Sequence, residues 1–141
     1  MNTDNLEIST DKDRLDVDAI HAFLRDETYW ARNRTLEQTR TAIENSLCFG
    51  AYIGGKLAGF GRVVSDFATF AYVGDVFVLP EFRGRGLSKR LMQAMVEHPE
   101  LQGLRRWLLA TRDAHGLYER YEFASLRHPE RWMERTAPDA Y

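Results

Sequence analysis

The chain has 141 residues, 44% of them hydrophobic and 12% aromatic, with one cysteine and a formal net charge of −2 at pH 7. This length and apolar content predict a single domain, 1–141, with a core over about 6–135. The near-neutral charge argues against nucleic-acid or membrane-surface binding, and no apolar run approaches the roughly 18 residues that span a bilayer. The lone Cys48 and an acidic N-terminal segment, unlike a signal peptide, lead us to expect a cytoplasmic protein.

The first half of the chain predicts one strand, two helices and then a run of strands. “LEIST” at 6–10 is a short strand candidate, and apolar residues recur at helical spacing from Val17 to Leu24. Thr35 and Gln38 match a capping box, which predicts the start of a second helix. An antiparallel meander, with the turn “GGK” between its first two strands, is predicted from β-rich runs at about 47–53, 57–65 and 69–79.

The second half of the chain begins with a change of apolar period after Pro80. The pattern predicts a helix at 86–98, a buried strand at 105–111, a short helix at 113–121, and two closing strands in “FASL” and “RWMER”. The strand–helix–strand crossover should make the strands 69–79 and 105–111 parallel neighbours. The predicted fold is therefore α+β, with a mixed, mostly antiparallel central sheet containing one parallel pair and flanked by about four helices.

The segment “EFRGRGLSKRL”, residues 81–91, places two glycines and four cations at the start of the predicted helix. Gly84 and Gly86 permit positive φ, and the backbone amides just ahead of a helix N-terminus can bind an anion. Cationic side chains crowd the positive end of the helix dipole, where acidic groups would be stabilising. The pattern predicts an anion-binding turn, with a solvated basic connector as the alternative. Dinucleotide and P-loop motifs fit less well, because they would need glycine at Lys89 or the sequence G-K-[ST].

Two motifs resemble those of the GNAT N-acetyltransferase superfamily. “VFVLPEFRGRGLS” is similar to the family's R-G-x-G-x-G/A acetyl-CoA motif after a strand ending in V-x-P, although Ser88 stands where the family usually has glycine or alanine. “LYERYEF” resembles L-Y-x-x-x-G-F, with Glu122 in place of the glycine. The match puts Tyr118 at the position of the tyrosine that often acts as a general acid. The order of elements also matches, so the resemblance covers nearly the whole chain.

The resemblance implies an acetyl-CoA-dependent N-acetyltransferase, with acetyl-CoA as co-substrate and no metal, in which a primary amine attacks the thioester directly in a ternary complex. The implied pyrophosphate contacts come from the turn residues Arg83, Gly84, Arg85, Gly86, Leu87 and Ser88. The strands 71–79 and 105–111 would splay apart, and the pantetheine arm would pair with backbone groups of Val76, Phe77 and Val78, with Thr111 also near the cofactor. The alternatives are a CoA-binding sensor or interaction domain without turnover, and a small basic binding module.

The resemblance also implies roles for individual side chains near the thioester. Tyr118 would protonate the leaving thiolate, or else pack beside Phe123. Asp75 is a candidate general base, although it could cap a loop or bind a backbone amide, and ordered water could carry the proton instead. Tyr29 and Trp30 are candidates for the acceptor wall, or else for helix packing. The sequence does not choose between a small-molecule and a peptide amine. A homodimer is expected because many small GNAT domains pair through edge strands or helices and an exposed sheet edge would need covering.

Overall fold

Five strands form one sheet in the computed structural model, which describes residues 5–137. Their spatial order follows the chain: β1 Leu6–Ser9, β2 Leu47–Ile53, β3 Lys56–Ser65, β4 Phe70–Val78 and β5 Arg106–Leu108. The strands β1 to β4 pair antiparallel, and β4 and β5 pair parallel. The predicted mixed sheet with one parallel pair is confirmed, while the predicted strand 105–111 is shorter than expected. The ends of the predicted domain, 1–4 and 138–141, lie outside the described residues.

Within the described residues, four α-helices accompany the sheet: α1 Val17–Glu27, α2 Leu36–Glu44, α3 Leu87–Glu97 and α4 His115–Glu119. The predicted capping box of α2 is confirmed, because Thr35 Oγ1 accepts the Gln38 amide while Gln38 Oε1 accepts the Thr35 amide. Asp16 caps α1 by accepting the Ala19 amide. In the part of the chain that the structure covers, no helix has the length and apolar character needed to cross a membrane.

The sheet separates two apolar clusters, because successive strand residues point to opposite faces. The face covered by α1 and α2 buries Ile20, Phe23, Leu24, Ile43, Cys48, Phe60 and Phe77. The face covered by α3 buries Phe49, Val63, Val73, Leu87, Leu91, Met92 and Met95, and the side chain of Tyr118 from α4 packs at its edge. Helices on both faces leave the loops at the ends of β4 and β5 accessible for a binding site.

The prediction of two closing strands, at 123–126 and 131–135, is wrong. Within residues 5–137 these segments join no sheet, and a 3₁₀ turn at Pro129–Arg131 interrupts them. Their apolar side chains do not share a buried face, since Leu126 is 39% exposed and Met133 is 96% exposed. A strand pattern without a surface to cover gains too little from burial to order a ladder.

Two irregularities of β4 open the sheet where the site is expected. Its pairing with β5 covers only Phe70 to Tyr72, so the remainder of β4 has no strand beside it on that edge among the residues described. On its other edge the register against β3 shifts, which places Asp75 and Val76 opposite Gly61. The extra residue is a β-bulge, and Asp75 lies in it with φ of 53°. The strands therefore separate just after Tyr72, and the bulge lies beside the resulting cleft.

Candidate active site

The glycine turn, residues 83–88, follows the end of β4 and leads into α3. Gly84 and Gly86 have φ of 79° and 77°, which confirms the predicted left-handed backbone. No side chain caps the helix at Gly86 and no acidic residue lies in its first turn, so its first amides are left for an external acceptor. A Cβ on either glycine would meet no atom within 4 Å, so the space beside the turn is open. These features suit the negatively charged diphosphate of a CoA molecule.

Arg83 ties this turn to the strand before it. Its Nε donates a hydrogen bond to the carbonyl of Val78, with an N···O distance of 3.2 Å. Arg85 instead lies 5.7 Å from the ring centroid of Phe82, which is buried under the turn. One of the motif's arginines therefore has an intramolecular role that the sequence pattern did not reveal. The turn and the end of β4 are held together as one unit.

The cleft beyond the β4–β5 pairing is lined by the backbone of β4. Phe77 points its ring away from the cleft and stacks on Phe23 with centroids 4.3 Å apart, and Val78 is also buried. Strand β4 can therefore contact a ligand in the cleft mainly through its backbone. On the opposite side, Thr111 uses its hydroxyl to accept the Ala114 amide, which fixes the loop that enters α4.

Tyr118 lies on α4 within a groove of about 1210 Å³ lined by β5, the loop after it, α4 and residues 122–127. Its ring contacts Phe123 edge-on, with centroids 6.1 Å apart. Burial, with smaller contributions from Tyr29 and Asp113, raises the pKa of Tyr118 above its ordinary value. The phenol therefore keeps its proton at neutral pH and is partly shielded from water.

Glu122 occupies the position where the motif usually has glycine, and the structure explains why the turn still forms. Glu122 has φ of 71°, the left-handed conformation that glycine adopts more readily. The amides of Tyr121 and Phe123 both donate to the carbonyl of Tyr118, at 2.9 and 3.3 Å. The turn after α4 keeps its geometry at some conformational cost to a non-glycine residue.

Asp75 is buried in the β4 bulge with a side chain that is only 3% exposed. One carboxylate oxygen accepts from Arg34 Nη1 and from Arg62 Nε, both at 2.6 Å, and the other accepts from Trp30 Nε1 at 2.9 Å. Burial alone would raise the pKa of Asp75, but the hydrogen bonds and charges of the two arginines outweigh it and hold that pKa below its ordinary value. A carboxylate held in this way is a weak proton acceptor, so the geometry disfavours a role as general base. Its partners are side chains, rather than the loop end or backbone amide considered above.

The loop between α1 and α2 brings Tyr29 and Trp30 to the cleft. The Tyr29 hydroxyl accepts the Arg112 amide at 3.1 Å, and the Arg112 guanidinium lies 3.8 Å from the Tyr29 ring centroid. Trp30 contacts Tyr29 edge-on at 5.1 Å while it binds Asp75. The loop therefore connects β4 to the segment after β5, and both aromatic residues stay about one-third exposed. Arg112 is a site residue that no motif or spacing indicated, because only the fold brings it beside Tyr29.

A second cavity, of about 440 Å³, lies beside α2. Arg34 and Arg62 line it together with polar residues of α2. Its lining includes neither Tyr118 nor the glycine turn. In the described range, 5–137, no group of histidine, cysteine and carboxylate side chains is arranged to hold a metal ion.

Comparison with known proteins identifies the family to which this fold and this site belong. The acetyltransferase (GNAT) family model matches residues 17–123, and this chain belongs to that family. A crystal structure of a Xanthomonas campestris pv. campestris protein assigned to the GNAT acetyltransferases shares 54% identity with a TM-score of 0.93 and covers 96% of each chain. A Gibberella zeae protein assigned as an acetyltransferase is 34% identical over 133 residues, which cover 79% of this chain and 74% of that protein.

A more distant solved structure shows the same fold with a ligand present. A Clostridium acetobutylicum protein, crystallised with acetyl-CoA, has 14% identity and a TM-score of 0.67, and the match covers 94% of this chain and 95% of that one. At this identity the likeness concerns the fold alone. The family that this chain belongs to uses acetyl-CoA, and the open glycine turn described above suits that molecule.

Proposed function

We propose that this protein is an acetyl-CoA-dependent N-acetyltransferase in which a primary amine attacks the thioester directly within a ternary complex. The observation that carries the proposal is the cleft where β4 separates from β5. The open glycine turn follows β4 at one end of this cleft, and the loop with Tyr29 is bonded to the segment after β5, which leads into the helix that carries Tyr118. An activated acyl donor, a proton donor and a space for an acceptor can thus meet at one place.

The chain's backbone would hold the donor. The glycine turn, from Arg83 to Ser88, borders open space at Gly84 and Gly86, and its amides can bind the diphosphate of acetyl-CoA. Backbone groups between Val76 and Val78 can pair with the pantetheine arm, since no strand occupies that edge within the described residues. Acetyl-CoA supplies the thioester, and a backbone amide at the bulge is the candidate donor to its carbonyl oxygen.

Tyr118 is the proposed general acid. Its phenol keeps its proton at neutral pH and can donate it to the departing thiolate. The acceptor must also lose a proton, because an ammonium group has no lone pair for attack. Asp75 is held by two arginines, so we assign this second transfer to ordered water at the open mouth of the cleft.

The acceptor would be the amine of a small molecule or a peptide, and the aromatic loop would form one wall of its site. Trp30 is 36% exposed, while the Arg112 cation already lies over the Tyr29 ring. A second cation on that ring face would be repelled. The acceptor ammonium is therefore expected beside Trp30 and the Tyr29 hydroxyl.

A panel of amines tested with acetyl-CoA, with release of free thiol as the readout, tests this proposal. We expect thiol release that requires one class of amine and falls sharply in Tyr118→Phe. Binding of CoA without thiol release from any amine would instead support the alternative of a non-catalytic CoA sensor. If neither CoA nor acetyl-CoA bound, the whole assignment would be wrong.

A further inference from the structure

A buried ion cluster joins the β4 bulge to three other parts of the fold. Asp75 binds Arg62 from β3 and Arg34 from the loop between α1 and α2, residues 28–35, which we call the acceptor loop. Arg62 Nη1 also donates to Ser46 Oγ at 3.2 Å. Ser46 in turn donates to the Ala42 carbonyl of α2. The side chains of Arg34 and Arg62 are 6% and 14% exposed. A buried charge is stable only when an opposite charge or a hydrogen-bonding group contacts it closely. These contacts therefore fix the relative positions of the elements that carry them.

Asp75 adopts a strained backbone conformation, so the contacts of its carboxylate must compensate for that strain. A bulge residue in the left-handed region is usually glycine, because a side chain there adds strain. Gly74 is the adjacent residue, yet the left-handed position holds an aspartate. Aspartate tolerates this conformation better than most residues and supplies an anion that glycine lacks. With aspartate rather than glycine at this position, the bulge has a more strained backbone but gains a fixed set of side-chain contacts.

We infer that Asp75, Arg34 and Arg62 are positioning residues that hold the β4 bulge in the shape that aligns the acetyl group of acetyl-CoA and couple that shape to the acceptor loop. This inference rests on the proposed function and deepens it. The bulge lies beside the cleft and bears the backbone amide proposed above as donor to the thioester carbonyl, and the direction of that amide depends on the backbone angles of Asp75. Trp30 binds the same carboxylate, so the acceptor wall and the donor strand share one anchor.

The inference predicts a particular defect for Arg62, which lies on β3 and outside the cleft. A lysine at this position keeps the charge beside Asp75 but cannot present two fixed nitrogens, one to Asp75 and one to Ser46. Arg62→Lys should therefore fold and bind CoA within about 2-fold of the parent affinity, because the glycine turn is intact. It should bind acetyl-CoA with less of an affinity advantage over CoA, because only acetyl-CoA has a carbonyl that can contact the bulge amide. Its kcat should also fall by about 10- to 100-fold.

The pH profile distinguishes positioning from proton transfer. If Asp75 were the general base, Asp75→Asn would abolish the acid limb of kcat, and Arg62→Gln would move that limb to higher pH by removing a cation. For a positioning role, both variants should lower kcat while the acid limb keeps its pH. The exposed pair of Arg14 and Glu7, at 2.9 Å on the far edge of the sheet, offers the control, and Arg14→Gln should change neither kcat nor ligand preference.

Binding and turnover are measured separately, so that failure of the proposed function can be distinguished from failure of the positioning inference. Calorimetric titration of CoA and acetyl-CoA requires no acceptor, so loss of acetyl preference in Arg62→Lys would support the inference even if no amine in the panel reacted. In that case the proposed function would fail while the positioning of the acetyl group would stand. Normal acetyl preference and normal kcat in a folded Arg62→Lys would overturn the inference, as would an acid limb that vanishes in Asp75→Asn.

Discussion

At the scale of single residues, the shielded phenol of Tyr118 supports the sharpest catalytic prediction. Tyr118→Phe removes one proton donor while keeping the edge-on contact with Phe123. We expect CoA affinity to stay nearly unchanged and kcat to fall by about 10²- to 10⁴-fold. Thiol release with a confirmed acceptor amine measures this. A variant that kept more than about half of the parent kcat would show that water protonates the thiolate.

The direction of the Tyr118 pKa shift adds a prediction about pH. A raised pKa means that the phenol keeps its proton to higher pH than the ordinary value of about 10. Loss of the general acid should therefore begin only above that value. We expect the ratio of parent to Tyr118→Phe kcat to be the same at pH 7 and pH 9. A ratio that shrinks steadily across this interval would indicate a lowered pKa and contradict the environment described here.

Asp75 supports a prediction about stability in acid. Its pKa is depressed in the folded state, so its contribution to the free energy of unfolding is complete above the unfolded-state pKa of about 3.9 and is lost as pH falls through the lower folded value. Asp75→Asn should lower the free energy of unfolding by about 3–5 kcal/mol at pH 7, because two buried arginines lose their anion. Urea denaturation should show this gap narrowing only below about pH 4.

An exposed aspartate offers the matched control for that measurement. Asp26 also accepts two hydrogen bonds from one arginine, Arg25, but both side chains are about half exposed. Asp26→Asn should change the free energy of unfolding far less than Asp75→Asn does, because solvent screens an exposed ion pair. Equal effects of the two substitutions would mean that burial does not distinguish these ion pairs.

At the scale of elements, the glycine turn and α3 behave as one binding unit. Gly86→Val places a β-branched side chain at a positive φ and in the open space beside the turn, so it should weaken CoA binding by at least about 10-fold. Gly103→Val provides a control with the same backbone strain, since Gly103 has φ of 72° and lies outside the turn. Calorimetry should show that this control loses stability but keeps CoA affinity. If both folded variants bound CoA with the affinity of the parent protein, the turn would only connect β4 to α3 and would not bind CoA.

At the scale of the whole molecule, a bound ligand should raise the free energy of unfolding of the domain. A ligand that binds only the folded chain adds about 2.7 kcal/mol at roughly 100 times its dissociation constant. CoA should therefore raise the melting temperature by several degrees. The absence of any shift at millimolar CoA would argue against CoA binding.

The open edge of the sheet bears on the assembly of the whole molecule. The outer edge of β5 has no strand beside it in the described residues, and the nearby Trp132 and Met133 are 36% and 96% exposed. We continue to expect a homodimer, because edges and apolar side chains of this kind are usually covered. Sedimentation velocity over a range of concentrations tests this, and a monomer at every concentration would contradict it without affecting the proposed catalysis.

Local signals in the sequence were sufficient to predict most of the elements. The capping box at Thr35, the “GGK” hairpin, the apolar stripe of α3 and the glycine turn each act within a few residues, so their physics can be recognised in a linear pattern. The “FASL” and “RWMER” segments show the limit of this approach. Their strand-like composition could not reveal that the fold provides no surface for them to bury.

The site depended more on tertiary structure. The positive φ of Gly84 and Gly86 could be predicted from the local sequence, and Tyr118 was a candidate because of its position in a short motif. The partners of Asp75 come from residues 13 to 45 positions away, and Arg112 meets Tyr29 across 83 positions. Whether a carboxylate accepts protons or holds a strand in place depends on which cations surround it and how little water reaches it. Those are properties of the folded arrangement, because desolvation and charge pairing act through space rather than along the chain.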